Sequence, residues 1–106
     1  MNNRLHQLLQ MLESSPDDSF LLFAIAKEHE GMQDFATAKK YYIQLKTLEP
    51  NYIGLYYHLG KLHEELDENT EALAIYADGV HRARTLGDPH ALAELQSAKL
   101  NLEIDV

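Results

Sequence analysis

Residues 56–76 read YYHLGKLHEELDENTEALAIY, two helical stretches separated by a short acidic turn at Asp67, Glu68 and Asn69. Stepping back 34 residues from Tyr56, Leu59, Gly60, His63, Ala72 and Tyr76 lands on Leu22, Ile25, Ala26, His29, Ala38 and Tyr42. Large and small residues recur in the same order. An ungapped alignment of 19–52 with 53–86 has identities at Leu21/Leu55, Lys27/Lys61, His29/His63, Glu30/Glu64, Ala38/Ala72 and Tyr42/Tyr76. Average residue usage would supply roughly two such matches in this window, so the chain contains a repeat.

Outward from this stretch, the apolar spacing predicts helices at about 53–66 and 70–85. Asn69 or Thr70 is the expected cap of the second, with Glu71 where a helix N-terminus favours negative charge and His81, Arg82 and Arg84 near the opposite end. Gly87 ends that helix. Asp88-Pro89 starts another at about 89–102, a cap residue followed by proline at the first helical position. It places Leu92, Leu95, Lys99 and Leu102 on one side. Leu100, Leu102, Ile104 and Val106 alternate with polar residues, which would also suit an extended end; helix to about 102 followed by a loose tail is expected.

Toward the N-terminus, a helix at about 19–31 follows Asp18 or Ser19 as cap, and is apolar around more than half its circumference at its start. Gly31 to Asp34 forms a turn, a third helix runs about 35–48, and Glu49, Pro50 and Asn51 close the unit. Residues 2–14 carry Leu5, Leu8, Leu9, Met11 and Leu12 as one apolar stripe. Pro16 stops that helix, because proline disfavours helical geometry in the residue before it.

At 106 residues the chain fits one domain, and 45% hydrophobic with 25% charged residues fits a folded one. With 17 acids against 9 Lys and Arg, the net charge is −8. Affinity for nucleic acid comes largely from Lys and Arg on phosphates, so nucleic acid and anionic membranes are not expected partners. No apolar run approaches the ~18 residues of a membrane span, and the first residues lack a signal peptide's apolar centre. The cytoplasm is the expected compartment. Without cysteine there are no disulfides, thiolate metal sites or cysteine nucleophile.

The columns of the repeat (a bulky residue, then Leu59-Gly60, an aromatic-type position, later Ala72 with three spacers to Tyr76, and Pro50 closing the first unit) are similar to the tetratricopeptide signature. The resemblance covers essentially the whole chain. It implies an all-α antiparallel helix-hairpin stack, a tetratricopeptide-like α-solenoid of about six helices with right-handed superhelical curvature. One domain spans 1–106: a leading half repeat at 1–18, repeats at 19–52 and 53–86, and a terminal capping helix and tail at 87–106. The sequence departs from the family pattern at His29 and His63, where Tyr is usual, at the early Gly31, and at Arg84 in the closing proline column. The last implies a longer fifth helix.

In the family, the first helix of each repeat lines a concave groove that receives a peptide or helix. Carried over by column, the groove residues are Phe20, Phe23, Ala24, Lys27 and Glu30, then Gly54, Tyr57, His58, Lys61 and Glu64. Lysines could hold a carboxylate and Phe23 with Tyr57 could anchor a partner. The bland alternative is that Lys27-Glu30 and Lys61-Glu64 are surface pairs and the aromatics are core. The carboxylate clamp of chaperone-binding members is not matched, since Phe23 replaces its first Lys, Lys27 its Asn partner and His58 another Asn.

No cofactor or metal is expected. His58 and His63 are five residues apart, about 140° around a helix, whereas a helical zinc pair needs spacing four. His29 and His63 are expected as satisfied packing residues. No triad arrangement, phosphate loop or HExxH motif supports an enzyme. The chain is therefore expected to be a cytoplasmic protein-binding scaffold. The alternative is a self-associating unit, a homodimer through terminal helices, with Leu5, Leu8, Leu12, Leu95, Leu102 and Ile104 as contacts.

Overall fold

In the computed structural model, residues 2–105 are described, and six α-helices account for most of them: α1 (Asn3–Ser14), α2 (Ser19–Gly31), α3 (Phe35–Leu48), α4 (Gly54–Glu65), α5 (Asn69–Leu86) and α6 (Pro89–Asp105). No strand occurs among the described residues. The chain divides into two compact units, one ending at Tyr52 and one beginning at Ile53.

In the first unit, side chains with short reach fix the helix starts. Asn2 accepts a hydrogen bond from the Leu5 amide at 2.9 Å, Asp18 from Leu21 at 3.1 Å and Asp34 from Thr37 at 3.3 Å. Each satisfies an amide that the first helical turn leaves without an internal partner. α2 is covered on two sides. Leu21, Ala24 and Ile25 meet α1 through Leu8, with Leu5, Leu9, Leu12 and Tyr41 packed around them. Leu22, Ala26, Ala38, Tyr42 and Leu45 complete a fully buried set on α2 and α3. Met11, expected in the α1 stripe, is instead exposed. At about 100° per residue it lies off the line through Leu5, Leu8 and Leu12.

Both hairpin turns use one backbone device. Gln33 (φ 62°) and Asp67 (φ 61°) take the left-handed conformation. Their amides bond to Glu30 and Glu64 carbonyls at 3.0 Å, and the next amides, of Asp34 and Glu68, reach back to His29 and His63 at 2.9 and 2.7 Å. This is the Schellman pattern of helix termination. Gly31, expected within the turn, is the last residue of α2, and its φ is not positive. The cap expected at Asn69 or Thr70 is also displaced. α5 starts after Glu68, whose carboxylate makes no cap bond and lies 2.8 Å from His63 Nδ1.

The second unit packs α4 on α5 and α5 on α6. α5 has 18 residues against 14 in α3, the extra length expected from Arg84 in the proline column. It ends at Gly87 (φ 68°), and Asp88 caps α6 through the Ala91 amide at 3.0 Å. α6 runs on to Asp105, so the loose tail expected for 103–105 is helical; Val106 lies outside the described residues. Leu95, Ala98 and Leu102 form its buried stripe, and Lys99 bonds Glu103 one turn on at 3.0 Å. Of the alternating apolar residues near the end, Leu102 is buried while Leu100 and Ile104 face solvent. That is helical rather than strand periodicity.

Two glycines set the helix spacing in this unit. A methyl group at Gly60 would meet the Tyr76 ring with Cδ1 and Cζ at 2.7 Å, and one at Gly79 would meet Tyr56 Cβ at 2.7 Å and Leu95 Cδ1 at 3.0 Å. Gly60→Ala and Gly79→Ala should each cost about 1–3 kcal/mol through overpacking. That exceeds the ~0.5–1 kcal/mol that alanine gains over glycine in a helix. Urea unfolding measures the balance, and a stabilised alanine variant would contradict so close a crossing.

Candidate functional site

The chemistry of the first helices recurs with the repeat. On α2 the Lys27 ammonium lies 5.8 Å from the centroid of the Phe23 ring; on α4 the Lys61 ammonium lies 5.7 Å from that of Tyr57. Spacing of four residues places each lysine one turn beyond its aromatic on the same helix face. At these distances the cation is held over the ring's negative face, an attraction of about 0.5–1 kcal/mol at exposed sites.

The two aromatics are set differently behind their lysines. Phe23 is half-buried, with its ring at 5.1 Å from Tyr52 and edge-on to Tyr42 at 5.9 Å. Tyr57 stands edge-on to His58 at 5.9 Å. Both are thus partly packed and partly exposed. Phe20 is 65% exposed, an outlay of apolar surface that the core does not use.

Phe20, Phe23, Ala24 and Lys27 line a cleft of about 360 Å³ together with Glu28 and, from α1, Arg4. Arg4 and Glu28 were not among the residues singled out from sequence. Arg4 Nε sits 2.6 Å from Glu28 Oε1, and Asn2 Nδ2 donates to Glu28 Oε2 at 3.0 Å. The Asn2 bond, followed by Arg4, holds the Glu28 carboxyl below the usual carboxylate range against the opposing effect of burial. The cleft therefore has an aromatic wall, an ion pair on one side and Lys27 on the other. It could accept an apolar side chain flanked by a negative group.

Glu30 and Glu64 have internal partners. The Tyr42 hydroxyl donates to Glu30 Oε1 at 2.7 Å, and the Tyr76 hydroxyl donates to Glu64 at the equivalent place in the second unit. Lys61 is 3.8 Å from the same Glu64 carboxylate. In the second unit the Glu64 carboxylate thus meets both Tyr76 and Lys61.

The histidines are spread among local roles. His63 is buried and bound to Glu68. His29 stacks on Tyr41 with centroids 5.7 Å apart and planes 10° from parallel. Its Nδ1 is buried without a hydrogen bond, 3.4 Å from Asp34, so His29 departs from the expectation of a satisfied packing residue. The Asp34 carboxyl is held below its ordinary range by its bonds to Thr37 and, to a lesser degree, by His29.

Each unit is built from antiparallel helical neighbours, and each carries a lysine over an aromatic ring one turn earlier on the same helix. The family model described as tetratricopeptide repeat matches residues 21–52 and 53–81, more than half of the chain, which belongs to that family. Among solved structures, the crystal structure of a tetratricopeptide repeat domain protein from Salinibacter ruber is 42% identical, with a TM-score of 0.78 over 81% of this chain and 96% of that one. A solution structure of a tetratricopeptide repeat domain protein from Salinibacter ruber gives 42% identity and a TM-score of 0.79 over 83% of this chain and 89% of that one. A solution structure of a protein from Bordetella parapertussis, at 23% identity, shares the fold with a TM-score of 0.86 over 99% of this chain and 91% of that one. Comparison with curated proteins gives no match. Tetratricopeptide repeats generally mediate protein–protein interaction and are typically non-catalytic. No helix among the described residues is long and apolar enough to cross a membrane.

Burial of Tyr42, Tyr56 and Tyr76 has a pH consequence. Tyr42 and Tyr76 are raised above the ordinary phenol value by burial and then by their glutamates, and burial, with Asp78 beside it, pushes Tyr56 up to about 12. Each phenol keeps its proton to higher pH folded than unfolded. Their contribution to stability is intact below the ordinary tyrosine value of about 10 and is lost as pH rises through the folded values. Melting temperature should therefore fall steeply above about pH 10, with tyrosinate absorbance rising as the chain unfolds. A melting temperature unchanged from neutral pH to about pH 11 would contradict this burial.

Proposed function

We propose that the chain is a non-enzymatic protein-interaction domain that holds a peptide or helix of a partner protein in the concave groove its family resemblance implies. Phe20, Phe23, Lys27, Tyr57, His58 and Lys61 make the contacts, and Glu30 and Glu64 position the lysines. The observation that carries this reading is the lysine held over an aromatic at the same column of both repeats. The aromatic-walled cleft beside Phe23 supports it. Partly exposed aromatics next to cations suit the anchoring of a partner, because such residues dominate interface energetics.

Self-association through the terminal helices has less surface to draw on. Leu8, Leu95 and Leu102 are buried, which leaves Met11 of α1 and Leu100 and Ile104 of α6 as the exposed large apolar residues of these helices.

Lys27→Glu with Lys61→Glu should reduce capture of partner proteins from a lysate of the source organism by tenfold or more, about 1.4 kcal/mol or above. Both lysines are at the surface, so circular dichroism should be unchanged. Mass spectrometry of the captured material reads the outcome. An identical set of proteins on wild type and double variant would mean that this face is not the binding face.

A further inference from the structure

Away from the lysine-bearing face, the second unit has an open trough of about 340 Å³ between α5 and α6. Ala77, Val80 and Arg84 line it from one helix, and Gln96, Lys99 and Glu103 from the other. Both sets step by three and then four residues, so each is a single helical stripe, and the trough follows the pair for about two turns. Side chains of a third helix fit between two such stripes, ridge into groove.

The apolar positions of α6, matched to those of α4 in a register two residues longer than the 34-residue repeat, say what kind of element belongs there. Sliding α6 back 36 residues sets Leu92, Leu95, Ala98 and Leu102 on Tyr56, Leu59, Leu62 and Leu66, all buried or half-buried. In that register Gln96 falls on Gly60 and Lys99 on His63. Gly60 is where α4 receives Tyr76 of α5, and His63 binds Glu68 just before α5 begins. The trough thus lies on the face of α6 that corresponds to the face of α4 carrying a helix. Among the described residues, nothing covers it there.

Its charge narrows the occupant. Arg84 is exposed and has no acidic partner among the described residues, and Lys99 is held by Glu103 at 3.0 Å, a pair open to solvent. Two cations against one carboxylate stand out in a chain of net charge −8. Exposed Ala77 and nearly buried Val80 give a shallow apolar floor that suits small side chains.

We propose that this trough docks an acidic amphipathic helix of a partner protein. Small apolar residues of that helix lie on Ala77 and Val80, one carboxylate meets Arg84, and another takes Lys99 from Glu103. Like charges on the remaining surface turn the same helix away from other faces.

The test titrates the ¹⁵N-labelled full chain with a lactam-bridged helical peptide bearing alanine and leucine on one face and a row of glutamates beside it. A counterpart of equal helicity carries lysines instead. The glutamate peptide should shift the amides of Ala77, Val80, Arg84, Gln96 and Lys99 and bind at least tenfold more tightly than the lysine peptide. Arg84→Glu should invert that preference, and Ala77→Arg should block both peptides; both sites are exposed, and circular dichroism verifies folding. No binding at millimolar peptide, shifts centred elsewhere, or an unaltered preference in Arg84→Glu would overturn the proposal. Shifts of these same amides with protein concentration alone would also overturn it, by making a second copy of the chain the occupant.

Discussion

A tyrosine ring lying across a helix position with no side chain governs the second hairpin. Gly60 lets the Tyr76 ring approach α4 more closely than any Cβ would allow. The ring is then buried, and its hydroxyl has to find an acceptor because an unsatisfied buried polar group costs about 1–3 kcal/mol. Glu64, four residues after Gly60 on α4, supplies it. One crossing thereby fixes the separation of the helices, their rotation and the side chain behind Lys61. In the first unit Tyr42 and Glu30 form the same bond, with fully buried Ala26 in the small-residue column.

This arrangement gives the acidic and the basic side chains different neighbours, although Lys61 also lies 3.8 Å from Glu64. Glu30, Glu64, Glu68 and Asp34 face tyrosine or histidine side chains within their own hairpins. Lys27 and Lys61 instead lie over aromatic rings. A ring holds a cation without cancelling its charge and orders the lysine stem. Less rotamer entropy is then left to lose on binding. In a chain of net charge −8, each unit therefore keeps a cation ordered over an aromatic ring.

The recurrence of Gly60, Ala72 and Tyr76 with Ala26, Ala38 and Tyr42 reveals the hairpins in sequence because close helix contact restricts residue size at fixed columns. Helix boundaries marked by proline or a capping acid, as at Asp18 and Asp88, are readable for the same local reason. Arg4 and Glu28 lie far apart in the chain, and their meeting depends on the register of α1 against α2, which no periodicity encodes. The expected cap at Asn69 or Thr70 misses the residue before them, Glu68, which stands at the start of α5 and meets His63 across the turn. At the end of the chain, the apolar alternation concealed a helical stripe because only Leu102 among those residues packs inward. Phe23 and Tyr57 were ambiguous between core and surface, and each is partly both.

Within each unit, every helix packs against its neighbour in chain order: α1 with α2 and α2 with α3, then α4 with α5 and α5 with α6. The connections between them are only a few residues long. Forming such contacts closes short loops, so little chain entropy is lost before packing compensates for it. Architectures of this kind reach the native state in microseconds to milliseconds. A nascent chain could complete its first hairpin while later residues are still being synthesised, which shortens the time that its apolar helix faces stand open to aggregation.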